Sequence, residues 1–448
     1  MHIYNSLSNK IEKFNEIDKG KINMYVCGPT VYDHPHIGNA RPLIVFDMVY
    51  RFFKALGYQV KYVSNYTDID DKIINKALEL DKSASYVSSK YIDAYEDLSK
   101  KLNILNPQKI KVTDTMDEII HFIQELINDG FAYEIDGDVY FKVNKVDDYG
   151  KLSKQKVEDL MVGARIDENI KKENPLDFTL WKKTSVGENF SSPWSQGRPG
   201  WHTECVVMIN DAFAMDKIDI HGGGLDLKFP HHENEMAQAS ACCNSNLANY
   251  WMHNGLVTIG DKKMSKSQGK LILAKDMVED LGSNLVRWIM LSAHYRMALK
   301  LSDDLIEQSE KELDKIFLAL NQAFVFVVLN RYKWNSLSDH QLLQLFYKEL
   351  KNDFNTANAY KVIFDSTKKL NASLRVKEVD MQKIVKEANA IIMMLDVLGI
   401  VYRPQKITNF DVENYQRWQK AKKEKNYEVA DKLREKLSKK GLIWKQEC

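Results

Sequence analysis

The spacing of apolar positions divides the 448-residue chain into unlike stretches. Ile22 to Val26 is a short apolar run of strand length, followed by a loop with Gly28, Pro29 and Pro35. Val45, Met48, Val49, Phe52, Phe53 and Leu56 then recur at helical spacing, and Gly57 stands where that helix would stop. Val60 to Val63 supplies the next strand, and strand, helix and strand in this order predict a parallel sheet with a right-handed crossover. From about 110 to 200 the pattern loosens into helix-like patches, the alternating stretch Asp138–Val143, and a polar loop with Pro193, Gly197, Pro199 and Gly200. This reads as an insertion between two halves of a nucleotide-binding domain. The sheet resumes at Ile218–His221, followed at once by Gly222-Gly223-Gly224. Beyond about Leu305 the chain turns helical: Leu313, Ile316, Phe317, Leu320, Phe324 and Val327 mark one buried face. Further helices are expected around Leu342–Leu350, Ala357–Phe364 and Ile384–Leu398, with Gly399 as a stop and Pro404 in a linker.

Composition narrows the class. Apolar residues at 44% and charged residues at 28% are globular usage, and no run of about eighteen apolar residues offers a membrane span. The N-terminus Met1–Ser8 has neither a basic nor an apolar signal segment. Cys27, Cys205, Cys242, Cys243 and Cys448 are too few for a disulfide framework, so a cytoplasmic protein is expected. The formal charge of +1 means that a nucleic acid must be met by a local patch. Tyr415 to Cys448 supplies one, with eleven Lys and Arg against five Asp and Glu, or +6.

Candidate chemistry comes from scattered positions. His231 and Glu235 are four apart, on one face of a helix opening near Pro230. Cys27 ends the first strand and Cys205 follows Trp201-His202-Thr203-Glu204; strand ends and loops of a parallel sheet converge at one edge. Two thiolates, an imidazole and a carboxylate suit zinc better than magnesium or calcium. The same residues also suit an exposed helix pair and two packing cysteines, and no C-x-x-C is present. His36-Ile37-Gly38-Asn39 lies between the first strand and its helix, where such sheets take phosphates, with Gly38 admitting a close approach. Lys263-Met264-Ser265-Lys266-Ser267 is a cationic loop suited to charge on a departing pyrophosphate, or a solvated turn. Gly222-Gly223-Gly224 with Asp226 suits an adenosine with its ribose on the carboxylate, or a plain glycine turn.

Together these residues resemble the cysteinyl-tRNA synthetases of the class I aminoacyl-tRNA synthetase family. His36–Asn39 is similar to that family's HIGH element, and Lys263–Ser267 is a complete KMSKS element. Met24–Asp33, Asn65–Lys72, Gly200–Cys205 and His221–Glu235 match in context and order, and the resemblance runs to about residue 440. It implies an α/β fold: a Rossmann-type parallel-sheet catalytic domain in two halves, 1–110 and 201–260, with a connective insertion at 111–200. A KMSKS loop and stem-contact region at 261–310, a helical bundle at 311–402 and a small basic anticodon-binding module at 405–448 would follow. It further implies one Zn2+ held by Cys27, Cys205, His231 and Glu235, with the sulfur of L-cysteine on the metal. Gly28, Thr67, Trp201 and His221 would surround the amino acid. His36, Gly38, Asn39, Gly223, Asp226 and Lys266 would hold ATP with Mg2+, and His36, Asn39, Lys263 and Lys266 would act in catalysis. Arg417, Trp418, Asp431 and Arg434 would meet tRNA(Cys). The implied protein is a monomer without a membrane partner.

Two departures stand out. Asn39 replaces the final His of HIGH, keeping a donor but losing a titratable ring, and the chain stops at Cys448 without a longer tail. Two rivals remain beside cysteine–tRNA ligation. One keeps the adenylation site but joins cysteine to an amino sugar, and has no counterpart of the basic C-terminal segment. The other binds tRNA without activating an amino acid, a task needing neither four metal ligands nor a KMSKS element.

Overall fold

In the computed structural model, described over residues 1–155, 172–259 and 272–443, the early strand–helix–strand pattern builds the middle of a five-stranded sheet. β1 (Lys21–Val26) carries Ile22, Met24, Tyr25 and Val26 buried in succession, the signature of a strand covered on both faces. It leads to α1 (Ile37–Ala55), then to β2 (Gln59–Tyr66), parallel to β1. β3 (Gln108–Lys111) lies outside β2; β4 (Ile218–Gly224) pairs with the other side of β1, and β5 (Ala248–Asn254) lies beyond β4. All four pairings are parallel, in the order 5-4-1-2-3. That order reverses between β1 and β4, and ligands of such sheets bind outside the carboxyl ends of the strands at this point.

Helix α1 faces the sheet with Ile44, Val45, Met48, Val49, Phe52 and Phe53, all fully buried, each contributing roughly 1.5–3 kcal/mol. Gly57 ends the turn after it at φ +89°. The glycine run departs from expectation: it does not follow the strand but completes it. Gly222, Gly223 and Gly224 pair in register with Met252, His253 and Asn254. The reason is helix α1, because a Cβ on Gly222 would lie 2.4 Å from the Phe46 ring.

Between β3 and β4 the helix Met116–Asn128 and an antiparallel five-stranded sheet are built. Its strands run Ala132–Ile135, Asp138–Phe141, Phe178–Lys183, Gln196–Pro199 and Phe190–Ser191 across the sheet. The chain then enters the helix Glu204–Phe213, which leads back to β4.

The chain forms two compact units, residues 1–303 with 351–354, and 304–350 with 355–448. The second is helical: Asp303–Leu329 (entering from the first), His340–Leu350, Thr356–Ser373, Met381–Val397, then a hairpin of Asn409–Lys423 and Tyr427–Lys439. The helix expected at Ala357–Phe364 continues to Ser373. Phe317 and Phe324 are only half-buried, since Ala319, Ala323 and Val325 share the buried side. Trp418 requires a correction. Its ring is 1% exposed, packed with Tyr415, Leu433, Leu437, Val325 and Leu329, so it is a core residue with no face for an RNA base. Arg417 is exposed, and Arg434 pairs with Asp431 at 3.2 Å. Lys263 to Ser267, Trp444 and Cys448 lie outside the described residues. No described helix is long and apolar enough to cross a membrane.

Candidate metal centre

The switch point of the sheet gathers the four candidate donors. Cys27 is the first residue past β1, and its N–H donates to the Gly222 carbonyl of β4 at 3.0 Å. Cys205 sits in the first turn of the helix Glu204–Phe213. His231 and Glu235 bracket the start of the helix Glu233–Cys243, which opens later than expected, after a cis peptide at Phe229–Pro230. Cys205, His231 and Glu235 are buried and Cys27 is half-buried.

The spacing of these atoms tests whether a metal fits. The two sulfurs are 3.5 Å apart; His231 Nε2 lies 3.6 Å from Cys27 Sγ and 3.7 Å from Cys205 Sγ. Glu235 Oε1 lies 3.5 Å from Cys27 Sγ and 2.8 Å from His231 Nε2. Ligands on a tetrahedral zinc are separated by about 3.8 Å for two sulfurs and about 3.4 Å for nitrogen and oxygen. These five separations are close to or somewhat shorter than those of a tetrahedral zinc site, all four donor atoms lie within 4.8 Å of one another, and the donors fit a soft divalent ion.

Protons hold the charges together in this arrangement. Burial pushes the Cys27 thiol up, while the hydrogen bond from Cys27 brings Cys205 down to about 6, against the effect of burial. Burial alone would lower His231, but Glu235 and Cys205 outweigh it and raise it to about 10. Burial likewise opposes ionisation of Glu235, yet His231, His221 and His232 keep its carboxyl well below the usual range. A divalent ion would displace the protons on Cys27 and His231, so metal binding here releases protons.

Side chains around the donors fix their orientation. Trp201, partly exposed, stacks on His231 with centroids 4.2 Å apart. His202 Nδ1 lies 3.2 Å from His231 Nδ1; burial lowers His202 to about 3, so it is neutral. His221 Nε2 contacts Glu235 Oε2 at 2.5 Å. Behind it runs a line of contacts from Ser6 to His253 at 2.9 Å and from His253 to His232 at 2.8 Å. On the other side the Gly28 N–H donates to Asn65 Oδ1 at 2.7 Å, Asn65 Nδ2 to Thr67 Oγ1 at 3.2 Å, and Thr67 Oγ1 to Glu204 Oε2 at 3.2 Å. A Cβ at Gly28 would collide with the Asn65 carbonyl, so only glycine lets this chain close. Gly28, Thr67, Trp201 and His221 are thus all tied to the donors or their neighbours. Sequence reasoning missed Asn65, His202, Glu204, His232 and His253; the histidine-rich run from His221 to His232 was the available signal for one of them.

Three of the nucleotide candidates, His36, Gly38 and Asn39, lie at the N-terminus of α1. His36 caps the helix: Nδ1 accepts from the Gly38 N–H at 3.1 Å, which leaves Nε2–H as a donor. Burial lowers the His36 pKa, so that donor is neutral at pH 7. Asn39 Oδ1 accepts from the His36 N–H at 3.0 Å, closing a capping box and leaving its amide NH2 unused by the cap. Asp226, in the short turn after β4, is exposed and acts electrostatically on His36. Gly223 is buried in β4 beside His232.

Comparison with known proteins identifies the family and the fold. Residues 13–311 match the class I (C) tRNA synthetase catalytic domain family, and residues 345–402 match the DALR domain family. A cysteine–tRNA ligase of Acholeplasma laidlawii is 46% identical over 99% of this chain and 100% of its own length. One from Halalkalibacterium halodurans is 41% identical over 99% of this chain and 97% of its own. The structure of Mycobacterium tuberculosis methionyl-tRNA synthetase with methionyl-adenylate shares the fold, with TM-score 0.61 and 12% identity over 84% of this chain and 89% of that one.

Proposed function

Because this chain belongs to the cysteine–tRNA ligase family of class I synthetases, we propose that it activates L-cysteine with ATP and esterifies tRNA(Cys). One observation supports the substrate choice above all: two sulfurs, an imidazole and a carboxylate spaced for a tetrahedral ion, at the switch point of the sheet. Cys27, Cys205, His231 and Glu235 would hold Zn2+, which when bound supplies a soft acid that takes a thiolate in preference to a hydroxyl. Selection by so large a difference in ligand chemistry needs no editing step.

This chain's own residues then have defined tasks. Thr67, His221 and Trp201 line the amino acid, and Gly28 leaves room for it. In the first step a carboxylate oxygen of cysteine attacks the α-phosphorus of Mg2+-bound ATP, and pyrophosphate leaves. His36 Nε2–H and the Asn39 amide donate to phosphate oxygens in front of the α1 N-terminus, Gly38 and Gly223 admit the nucleotide, and Asp226 takes the ribose. Lys263 and Lys266 neutralise the leaving pyrophosphate. In the second step the 2′-hydroxyl of the terminal adenosine attacks the cysteinyl carbonyl and AMP leaves. No covalent enzyme intermediate is required, since positioning and charge stabilisation carry phosphoryl and acyl transfer of this kind. The basic segment 405–448 meets tRNA through exposed Arg417 and Arg434, and the protein works as a cytoplasmic monomer.

Charging of total tRNA with radiolabelled cysteine and ATP, with and without a zinc chelator, tests the reading. Acid-precipitable label that disappears on chelation and returns with zinc is expected. No label from folded, zinc-loaded protein would overturn it, and ATP-dependent coupling of cysteine to an amino sugar would then identify the alternative ligase.

A further inference from the structure

Arg41 lies just over one turn into α1 and is completely buried, yet no described carboxylate pairs with it. Among the described residues its guanidinium donates to main-chain carbonyls alone: from Nη1 to Gly255 at 2.8 Å and Leu256 at 3.0 Å, and from Nη2 to His294 at 3.4 Å. Nε has no partner among the described residues. Burial without a counter-charge lowers its pKa to about 10, which still leaves it protonated at neutral pH. A cation desolvated in this way is costly, and an apolar side chain of similar length often fills such a place at no loss of stability. Folding alone does not explain the charge.

The three carbonyls explain it better. Gly255 and Leu256 link β5 to the strand Val257–Ile259, and His294 precedes the strand Leu299–Leu301, which pairs with it in parallel. Arg41 therefore fastens this two-stranded ribbon to the first turns of α1. Residue 259 stands upstream of Lys263–Ser267 in sequence, and residue 272 stands downstream. The downstream flank is also fastened to the start of α1, but by main chain: Ile37 N–H donates to the Ile272 carbonyl and Ala274 N–H to the Pro35 carbonyl, both at 2.9 Å, with a bridge between His36 and Leu273. Both flanks of the Lys263–Ser267 sequence are thus tied to the turn that presents His36, Gly38 and Asn39. Main-chain hydrogen bonds make the downstream tie, and the Arg41 side chain supplies hydrogen bonds for the upstream one.

We propose that Arg41 is a positioning residue for adenylate formation, holding the ribbon of Val257–Ile259 and Leu299–Leu301 in fixed register with the His36–Asn39 turn. The proposal rests on the activity assigned above. Three carbonyls from two segments call for a planar fork with donors in fixed directions; an ammonium on a flexible stem reaches them one at a time. Arg41 touches no substrate, so its loss acts on the chemical step through the relative placement of the groups around the phosphates.

The test uses full-length, metal-loaded protein with Arg41→Met and Arg41→Lys, followed by cysteine-dependent ATP–pyrophosphate exchange, metal content and thermal unfolding. Arg41→Met is expected to keep or raise the unfolding temperature while kcat for exchange falls about 10²-fold, the scale of a small misplacement of reacting groups. KM for cysteine and metal stoichiometry should stay within about twofold, because the amino-acid site is not held by this fork. Arg41→Lys should fail to restore kcat. An Arg41→Met protein that is stable and active overturns the proposal, as does one that unfolds, which would make the role purely structural. Full activity of Arg41→Lys would show that charge suffices without the fork. A parallel rise in KM for cysteine would show general distortion. Wild-type protein silent toward cysteine sinks the assigned activity and this inference together, whereas active wild type beside active Arg41→Met sinks the inference alone.

Discussion

Cys205 shows how single side chains set the chemistry of this site. The hydrogen bond from Cys27 lowers its thiol pKa against the effect of burial, and Cys27 and His231 lie within 3.5 and 3.7 Å of it. Serine would offer a neutral, hard oxygen in the same place and leave His231 and Glu235 to share an incomplete donor set. Cys205→Ser should therefore lose bound metal and cysteine-dependent pyrophosphate exchange together, while far-UV circular dichroism stays native. Metal content unchanged after a chelator wash would take Cys205 out of the site. The four candidate donors each carried a local sign in the sequence: a cysteine at a strand end, another beside a helix start, and His231 four before Glu235. These signs also suit packing cysteines and an exposed pair, and it was the resemblance that singled out the set. Asn65 and Glu204 carried none. They matter through a hydrogen-bonded chain that joins Gly28 to the Cys205 helix, and it exists only once β1, β2 and that helix lie side by side.

At the scale of elements, the C-terminal hairpin depends on a cap that pH can remove. Thr408 and Asp411 form a capping box on the helix Asn409–Lys423, and Lys440 reaches Asp411 Oδ1 at 2.5 Å from beyond the second helix. Burial by itself raises the Asp411 pKa, but the hydrogen bonds from Lys440 and Thr408 outweigh it and hold the carboxyl below its ordinary value. The folded hairpin thus binds this proton more weakly than the unfolded chain does. The contribution is fully present above the ordinary value of about 3.9 and disappears as pH falls through the depressed one. Asp411→Asn should lower the stability of the hairpin at pH 7 and flatten its acid dependence, read by following Trp418 fluorescence during denaturation. Equal acid slopes in the two proteins would remove Asp411 from the account. The helices between Leu313 and Leu398 were legible from apolar spacing, and so were β1, α1 and β2. The glycine run was not, because Gly222 is a strand residue on account of the Phe46 ring, which is remote in sequence and adjacent only in the fold.

For the whole molecule, the division into two units makes different substitutions report on different functions. Trp418 looked like a surface aromatic because the segment around it is basic, yet charge content does not say which face of a helix is buried. The better signal was the spacing of Tyr415, Trp418 and Ala421, answered by Ala430, Leu433 and Leu437 on the partner helix, two apolar stripes that need each other. Lys422 Nζ sits 4.6 Å from the centre of the Trp418 ring, covering it further. Removing so large a buried ring costs about 3–5 kcal/mol. That loss falls on the cluster that joins the hairpin to Val325 and Leu329 of the same unit. The metal donors, the His36 cap and Arg41 all belong to the other unit. Trp418→Ala should therefore leave cysteine-dependent pyrophosphate exchange and metal content near wild type while tRNA charging falls, and calorimetry should show one transition moved down and a second, metal-sensitive one unmoved. Exchange and charging lost in equal measure would show that the two units unfold as one.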